Sequence, residues 1–291
     1  MYYFINEPDY SNMTEQQKKE QEGPNAFNAK VLDTILDDDS DQFIQLISQH
    51  QDVNYEFNLT NYKLPKILLY KPPIAGVCLV FNSEKCFYAL VNQLGDGILS
   101  EKLKKKDGMG RTLMHFCAFG GNLEIFRELS QNNFDINEGD NTRKTPSHYS
   151  AISGTTDIMK YITLKGINIF YNVEFGSMTP LHMACLYGNF EVVKFICENA
   201  RKIDLIECDS YHSSYYRNLT PLHLACEGGN DEIVKYLLND EVMWKSQIKA
   251  LDREGRSPLL VAVEYGNLSC VKLLIQSGKA KQHHKGRKHV A

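Results

Sequence analysis

Residues 220–238 read T-P-L-H-L-A-C-E-G-G-N-D-E-I-V-K-Y-L-L, and this stretch predicts two short helices joined by a tight turn. Thr220 can cap the first helix with its hydroxyl, and Pro221 follows at the first helical position, where the missing N–H is not needed. Gly228 and Gly229 end that helix after about two turns, because glycine accepts the left-handed conformation that the turn requires. The stretch is therefore a helix-turn-helix unit.

Each predicted helix of this unit has one apolar face. Leu222, Ala225 and Cys226 share a face of the first helix, and two of these three side chains are small. Asn230 and Asp231 can cap the second helix. The apolar stripe of that helix consists of Ile233, Val234, Leu237 and Leu238. Two short helices cannot bury both stripes alone, so the unit requires copies of itself on either side.

Imperfect copies of the unit occur along most of the chain. They start at Pro73, Thr112, Thr145, Thr179 and Ser257, and the intervals from Thr112 onward are 33, 34, 41 and 37 residues. Four histidines and four Gly-Asn turns fall in register. With its period near 33 and T-P-L-H-x-A at its head, the chain resembles the ankyrin-repeat proteins over roughly residues 72–278. Its many tyrosines and asparagines also resemble the ankyrin proteins multiplied in some unicellular eukaryotes.

The resemblance implies an all-α solenoid of stacked helix-turn-helix units with hairpin-like fingers between them. It also implies that the in-register histidines order the T-P-L-H turn through hydrogen bonds and that the cysteines occupy small core positions. The repeat-structural residues are then Thr112, His115, Thr145, His148, Thr179, His182, Thr220, His223, Gly229 and Gly266. Three copies depart from the pattern, with Ala75 or Leu260 in place of histidine and Ser153-Gly154-Thr155 at one turn.

The pattern divides the chain into four parts. Residues 1–23 form a polar acidic segment, which we expect to be disordered or loosely attached. Residues 24–71 form a degenerate helical cap followed by an irregular connection, and residues 72–278 hold about six repeats. Residues 279–291 form a basic tail, with five lysines and arginines between Lys279 and Lys288. Without cover from that tail, we expect the last helix, residues 268–276, to expose Val271 and Leu274.

The histidines and cysteines raise the question of a metal site. His182-x-x-Cys185 and His223-x-x-Cys226 each resemble half of a zinc site, which needs four converging ligands. Helices packed side by side lie about 8 to 10 Å apart, so equivalent residues on successive repeats run parallel and do not converge. Motifs for phosphate binding, nucleophilic catalysis and metalloprotease chemistry are missing from the sequence. We therefore predict no metal, no cofactor and no enzyme activity.

The chain has eight cysteines, and no basic and apolar leader stands at its N-terminus, so we expect reduced thiols in a cytoplasmic protein. No apolar run approaches the roughly 20 residues of a membrane helix. The net charge of −4 is unevenly distributed, because residues 1–60 carry −9 and the remaining residues carry +5. This polarity suggests separate surfaces on one chain and disfavours a general nucleic-acid binder. We expect a monomer that binds another protein, with nucleic acid and membrane unlikely partners.

Three features outside the repeat pattern are candidates for partner binding. The 41-residue interval holds an insertion, which is either a polar loop or a contact loop with residue types enriched at interfaces: Tyr211, His212, Tyr215, Tyr216 and Arg217. Lys102, Lys104, Lys105 and Lys106 are either solvated or bind an acidic partner segment, since no aromatic residues interleave for base stacking. Trp244 either packs on the stack or forms an exposed anchor.

These observations predict a non-catalytic protein-protein interaction module that binds its partner on the concave repeat surface. The alternative is an adaptor that binds anionic nucleic acid or membrane lipid through the basic tail. The two differ in salt dependence, because binding to a polyanion releases counterions and weakens steeply as salt rises.

Overall fold

The protein is built from pairs of short helices. The computed structural model describes residues 15–50, 52, 54–58, 64–170, 178–202, 218–239 and 247–277, with side chains from residue 26 to residue 200 and beyond 217 within those ranges. The chain divides into two compact units, Met1–Ile167 and Asn168–Ala291. Within the described ranges, the regular elements are helices, and one isolated β-bridge joins Glu56 to Pro73. The predicted all-α ankyrin-type repeat architecture is confirmed.

The first unit contains four helix pairs. Its helices are α1 (Glu15–Leu36), α2 (Ser40–Ile47), α3 (Ile74–Val80), α4 (Glu84–Gln93), α5 (Leu113–Gly120), α6 (Leu123–Gln131), α7 (Pro146–Ser153) and α8 (Thr156–Leu164). The first helices of successive repeats pack on one another, α3 on α5 and α5 on α7. Among the second helices, α2 packs against α4 and α6 against α8. Each pair thus buries its stripes against its neighbours.

The described residues of the second unit form three helix pairs of the same kind. Its helices are α9 (Pro180–Tyr187), α10 (Phe190–Lys202), α11 (Pro221–Glu227), α12 (Asp231–Asn239), α13 (Pro258–Glu264) and α14 (Leu268–Gln276). Here α11 packs between α9 and α13, and α12 packs against α14. In α11, Leu222, Ala225 and Cys226 are fully buried. The helix ends at Glu227, and Gly229 adopts a φ of +70° in the turn that follows.

The structure corrects the expected boundary of the first helix. Helix α1 begins at Glu15, ahead of Pro24, because a run of good helix formers extends a helix without any apolar stripe to reveal it. At its other end, Leu36 is 55% exposed. In the last helix, Leu274 is fully buried and Val271 half-buried. Their exposure was expected only without cover from the tail, and residues 279–291 lie outside the described ranges, so that expectation stays a prediction.

The connection around residues 55–71 holds more order than its sequence suggests. Backbone hydrogen bonds join Phe57 N to Pro72 O (2.8 Å) and Ile74 N to Tyr55 O (3.0 Å), and Lys66–Leu68 form a short 3-10 helix. Phe57 is fully buried and Tyr55 nearly so. Two buried aromatic side chains and these bonds therefore fasten the connection to the start of α3.

Candidate functional site

A buried histidine closes the first turn of four repeats. In the repeat at Thr220, the backbone N–H of Thr220 donates to Nδ1 of His223 (3.2 Å), and the threonine hydroxyl lies 2.8 Å from the same nitrogen. The same arrangement joins Thr112 to His115, Thr145 to His148 and Thr179 to His182. Because Nδ1 accepts a backbone N–H, the ring is neutral and carries its proton on Nε2.

The other ring nitrogen links each of three histidines to the following repeat. Nε2 of His182 donates to the carbonyl of Leu219 (3.1 Å), and Nε2 of His223 donates to the carbonyl of Arg256 (3.0 Å). In the first unit, Nε2 of His115 donates to the carbonyl of Lys144 (3.0 Å). Each acceptor directly precedes the threonine or serine that starts the next repeat. These rings therefore join successive repeats, and both of their nitrogens are occupied.

Burial also sets the protonation state of two of these histidines. Desolvation lowers the pKa of His115 and of His223 below the ordinary value, and hydrogen bonds to the carbonyls of Lys144 and Arg256 oppose that shift only in part. A proton on Nδ1 would also face the threonine N–H that now donates to it. Geometry and desolvation thus both favour the neutral ring.

A second polar contact runs in the opposite direction, from three of the turns to a backbone carbonyl of the preceding repeat. The amide of Asn230 donates to the carbonyls of Cys185 (2.7 Å) and Leu186 (3.1 Å). Asn267 repeats this arrangement with Cys226 and Glu227. Thr155, which stands where other copies have asparagine, donates its hydroxyl to the carbonyl of Ala118 (2.7 Å). The unusual turn at Ser153-Gly154-Thr155 therefore keeps the contact with a different side chain.

The fingers between repeats are organised by an aspartate that the sequence analysis did not single out. In two fingers, Asp107 and Asp252 accept backbone N–H groups from residues two and four positions later and pair with the guanidinium of Arg111 or Arg256. In a third, Asp140 accepts N–H groups from Thr142 and Lys144 and the hydroxyl of Tyr149. The sequence does contain a signal for this arrangement, because an aspartate stands five residues before each of Thr112, Thr145 and Ser257.

In the first unit, neighbouring fingers are also bonded to one another. The N–H of Gly108 donates to the carbonyl of Tyr70 (2.9 Å), and the N–H of Asn141 donates to the carbonyl of Met109 (2.9 Å). Lys106 on one finger pairs with Glu138 on the next. We call this row, from Tyr70 through residues 106–111 to residues 138–143, the finger edge. Its backbone is held in place by the protein's own bonds.

The lysine cluster lies on and beside the finger edge, and much of its charge is paired within the chain. Lys104 pairs with Glu101 (2.6 Å), and Lys105 approaches Asp52 (3.5 Å) and Glu56 (4.0 Å). Lys106 has Glu138 as its partner. Lys102 is exposed, and no ion pair to it occurs among the described residues. The cluster therefore presents less free positive charge than four lysines in sequence suggest.

Several of the predicted contact residues lie outside the described ranges. They are the whole insertion, Tyr211, His212, Tyr215, Tyr216 and Arg217, together with Trp244 and the basic tail at 279–291. The residues that the structure brings together are instead those of the finger edge. Two apolar side chains are exposed at the start of this edge, Tyr70 (48%) and the preceding Leu69 (45%). The guanidinium of Arg111 lies 5.6 Å from the Tyr70 ring centroid.

The arrangement of thiols and imidazoles offers no ready metal centre. In the described part of the chain, no group of three or more histidine, cysteine or carboxylate side chains is placed to hold a metal ion. The seven described cysteines are buried. Desolvation raises the pKa of Cys78, Cys185 and Cys226 well above the ordinary value, which keeps these thiols protonated. None of the described helices is long and apolar enough to cross a membrane.

Stacked helix pairs with left-handed glycine turns, bonded to one another through buried histidines and joined by ordered fingers, define a helical repeat protein. A family model for ankyrin repeats (3 copies) matches overlapping segments at 77–173, 140–207, 167–238 and 201–285. These segments cover most of the sequence. The chain belongs to the ankyrin-repeat family, as its threonine–histidine turns indicate.

Similarity to individual proteins is confined to short segments. The chain is 29% identical over 107 residues to transient receptor potential cation channel subfamily A member 1 from Homo sapiens, which covers 36% of this chain and 9% of that protein. It is 36% identical over 81 residues to alpha-latrotoxin-Lg1a from Latrodectus geometricus (27% and 6%) and 29% identical over 91 residues to inversin from Canis lupus familiaris (31% and 8%). The chain thus matches less than a tenth of each relative.

Proposed function

We propose that this chain is a non-catalytic, cytoplasmic protein-binding module that holds another protein on the surface formed by its fingers and first helices. Ankyrin repeats are generally protein-protein interaction modules. The observation that supports this surface is the finger edge, where backbone bonds at Tyr70–Gly108 and Met109–Asn141 hold the fingers in one conformation. A surface ordered before binding loses less conformational entropy when a partner associates.

The chemistry of the finger edge suits a partner segment with both apolar and acidic groups. Leu69 and Tyr70 offer apolar contact area at one end of the edge, and Lys102 adds an exposed cation. We propose the Tyr211–Arg217 insertion and Trp244 as further contact regions. The names of the three relatives describe different proteins, so the shared segment supports a common repeat module and not a shared partner.

A binding experiment with two matched variants tests the proposed surface. The whole chain serves as bait in a pull-down, beside Leu69→Glu at the finger edge and Leu164→Glu at the end of α8. Leu164 is 86% exposed at the C-terminal end of α8 and is not part of the finger edge, so its change controls for surface charge. We expect a specific captured protein to be lost with Leu69→Glu and retained with Leu164→Glu. Equal retention in both would contradict the proposal.

Two further arms of the same experiment separate the other contact regions. Tyr215→Ala with Tyr216→Ala tests the insertion, and deletion of residues 279–291 tests the tail. Capture that falls steeply with salt and disappears on tail deletion would favour the tail-based adaptor, because it reports counterion release. Capture that depends on Leu69 and only weakly on salt would favour the finger edge.

A further inference from the structure

The outer face of the last helix pair is exposed at positions that are buried one repeat earlier. Each position in α13 and α14 lies 37 residues after its counterpart in α11 and α12. Leu260 therefore corresponds to His223, Val263 to Cys226 and Ile275 to Leu238. The earlier three are at most 8% exposed, because the repeat at Ser257 covers them. Their counterparts are 43%, 56% and 57% exposed. We call the surface formed by the exposed Leu260, Val263, Leu268 and Ile275, together with the half-buried Val271, the end face.

The end face is more apolar than the covered surface to which it corresponds. Leucine replaces the buried histidine at 260, and valine replaces the buried cysteine at 263. At 268, leucine replaces Asp231 at a position that is exposed in both repeats, and the leucine is 71% exposed. A terminal repeat that faces water normally carries polar residues there, because polar groups keep the end of the stack soluble. The replacements go in the opposite direction, which indicates that another surface covers this one.

Leu260 also limits what that surface can be. In the earlier repeats the histidine at this position donates to a finger carbonyl of the next repeat, as His223 does to Arg256. A leucine offers no donor, so a following repeat in the regular arrangement would leave that carbonyl facing an apolar side chain. The end face is therefore suited to an apolar partner surface that presents no finger at Leu260.

Charges beside the end face allow it to pair with a copy of itself. Leu268, Val271 and Ile275 form one stripe along α14, and Lys272 is exposed beside it. Glu264 is exposed beside Val263 on α13 and bonds to Arg256 (3.0 Å). In a two-fold contact whose axis runs parallel to these helices, α13 of one copy would face α14 of the other, and Glu264 of each copy could approach Lys272 of the other. A self-complementary contact requires both signs of charge on one surface.

From these observations, we propose that the end face is a self-association surface through which two copies of this chain form a symmetric dimer. This differs from the monomer expected from sequence. It is also independent of partner binding at the finger edge, which lies in the other unit. An exposed apolar surface of this kind gains free energy by excluding water between two copies, roughly 25 cal/mol per Å² removed.

Sedimentation equilibrium of the full chain over a concentration series tests the proposal. We expect a monomer–dimer equilibrium whose dissociation constant rises at least about tenfold in Val263→Lys, since the new charge must be desolvated in the contact. Leu164→Lys, which places the same charge on an exposed leucine elsewhere, should leave the equilibrium unchanged. Circular dichroism and a thermal melt confirm that both variants are folded. A chain that is monomeric at every concentration would overturn the proposal.

A charge exchange tests the two-fold geometry. Lys272→Glu should weaken the dimer, because it brings two carboxylates together at each end of the contact, and adding Glu264→Lys should restore it. Failure of the double variant to recover would reject this arrangement. If the wild type is monomeric and deletion of residues 279–291 produces a dimer, the tail is the cover, and the proposal is wrong.

Discussion

The repeats at Thr220 and Ser257 are built alike, and they differ in whether a further repeat covers them. In the first, His223 and Cys226 are fully buried, and the histidine bonds to the next finger. In the second, Leu260 and Val263 stand at the same positions and are about half exposed. The comparison shows that a consensus side chain has its full structural role only when the neighbouring repeat supplies the other half of the contact. The two repeats can therefore serve as test and control for each other.

Thiol reactivity should show the largest difference between the repeats. Burial raises the pKa of Cys226, so alkylation requires local opening, whereas a cysteine introduced by Val263→Cys occupies an exposed position. We expect the thiol at 263 to react on the order of 1000-fold faster, measured for each peptide by mass spectrometry at high dilution. Similar rates would show that α11 is open in solution. Protection of position 263 at high concentration would agree with the proposed dimer.

Exchanging histidine and leucine between the repeats should have the next largest effect. His223→Leu leaves the buried N–H of Thr220 without its acceptor and removes the donor to Arg256, so we expect a loss of about 3 kcal/mol in the free energy of unfolding. Leu260→His, at a position 43% exposed, should change that free energy by less than about 1 kcal/mol. Urea unfolding at neutral pH measures both. Equal losses would refute the role assigned to the next repeat.

The turn glycines provide a smaller and more local difference. Gly229 and Gly266 have φ values of +70° and +73°, so alanine is strained at either position. At Gly229 an added Cβ would also lie 2.7 Å from Oδ1 of Asn267, whose amide is already bonded to two carbonyls, whereas at Gly266 it would meet nothing within 4 Å. We expect losses of about 2 kcal/mol for Gly229→Ala and about 1 kcal/mol for Gly266→Ala in urea unfolding.

We expect the weakest signal in the pH dependence of stability. The pKa of His223 is lowered in the folded protein, so between that value and the ordinary value of about 6.5 the unfolded chain binds more protons. Stability should be constant above that range and fall as the pH drops through it. The loss of stability at low pH should be smaller in His223→Leu than in the wild type. In Leu260→His, this loss should be at least as large as in the wild type. An identical pH profile in His223→Leu and wild type would contradict the histidine's contribution.

The sequence predicted the features that depend on local rules and on periodicity. The threonine caps, the glycine turns and the repeat order follow from residues within one unit. Features that depend on residues far apart were missed. Lys105 lies beside Asp52, and Asn230 reaches the carbonyls of Cys185 and Leu186, and neither contact has a signal within its own segment. The start of α1 at Glu15 was missed because its first residues are polar helix formers and contain no apolar periodicity.

The site was less predictable than the fold, for a related reason. Neighbouring fingers form a continuous edge only through hydrogen bonds such as the one from Asn141 N–H to the carbonyl of Met109. These bonds use backbone groups, which nearly every residue type provides. Side-chain identity therefore carries little information about that edge. The aspartates at 107, 140 and 252 are an exception, since their fixed position before each repeat could have been recognised.

The two-way bonding of the repeats has a consequence for how the second unit comes apart. The repeat at Thr220 is bonded forward by His223 and backward by Asn230, whereas the repeat at Ser257 has the backward bond of Asn267 and no histidine with which to bond forward. In a linear array with nearest-neighbour coupling, the element with fewer couplings frays first. Amide exchange should accordingly be faster in α14 than in α12, so unfolding of this unit would be a sequential process that begins at one end.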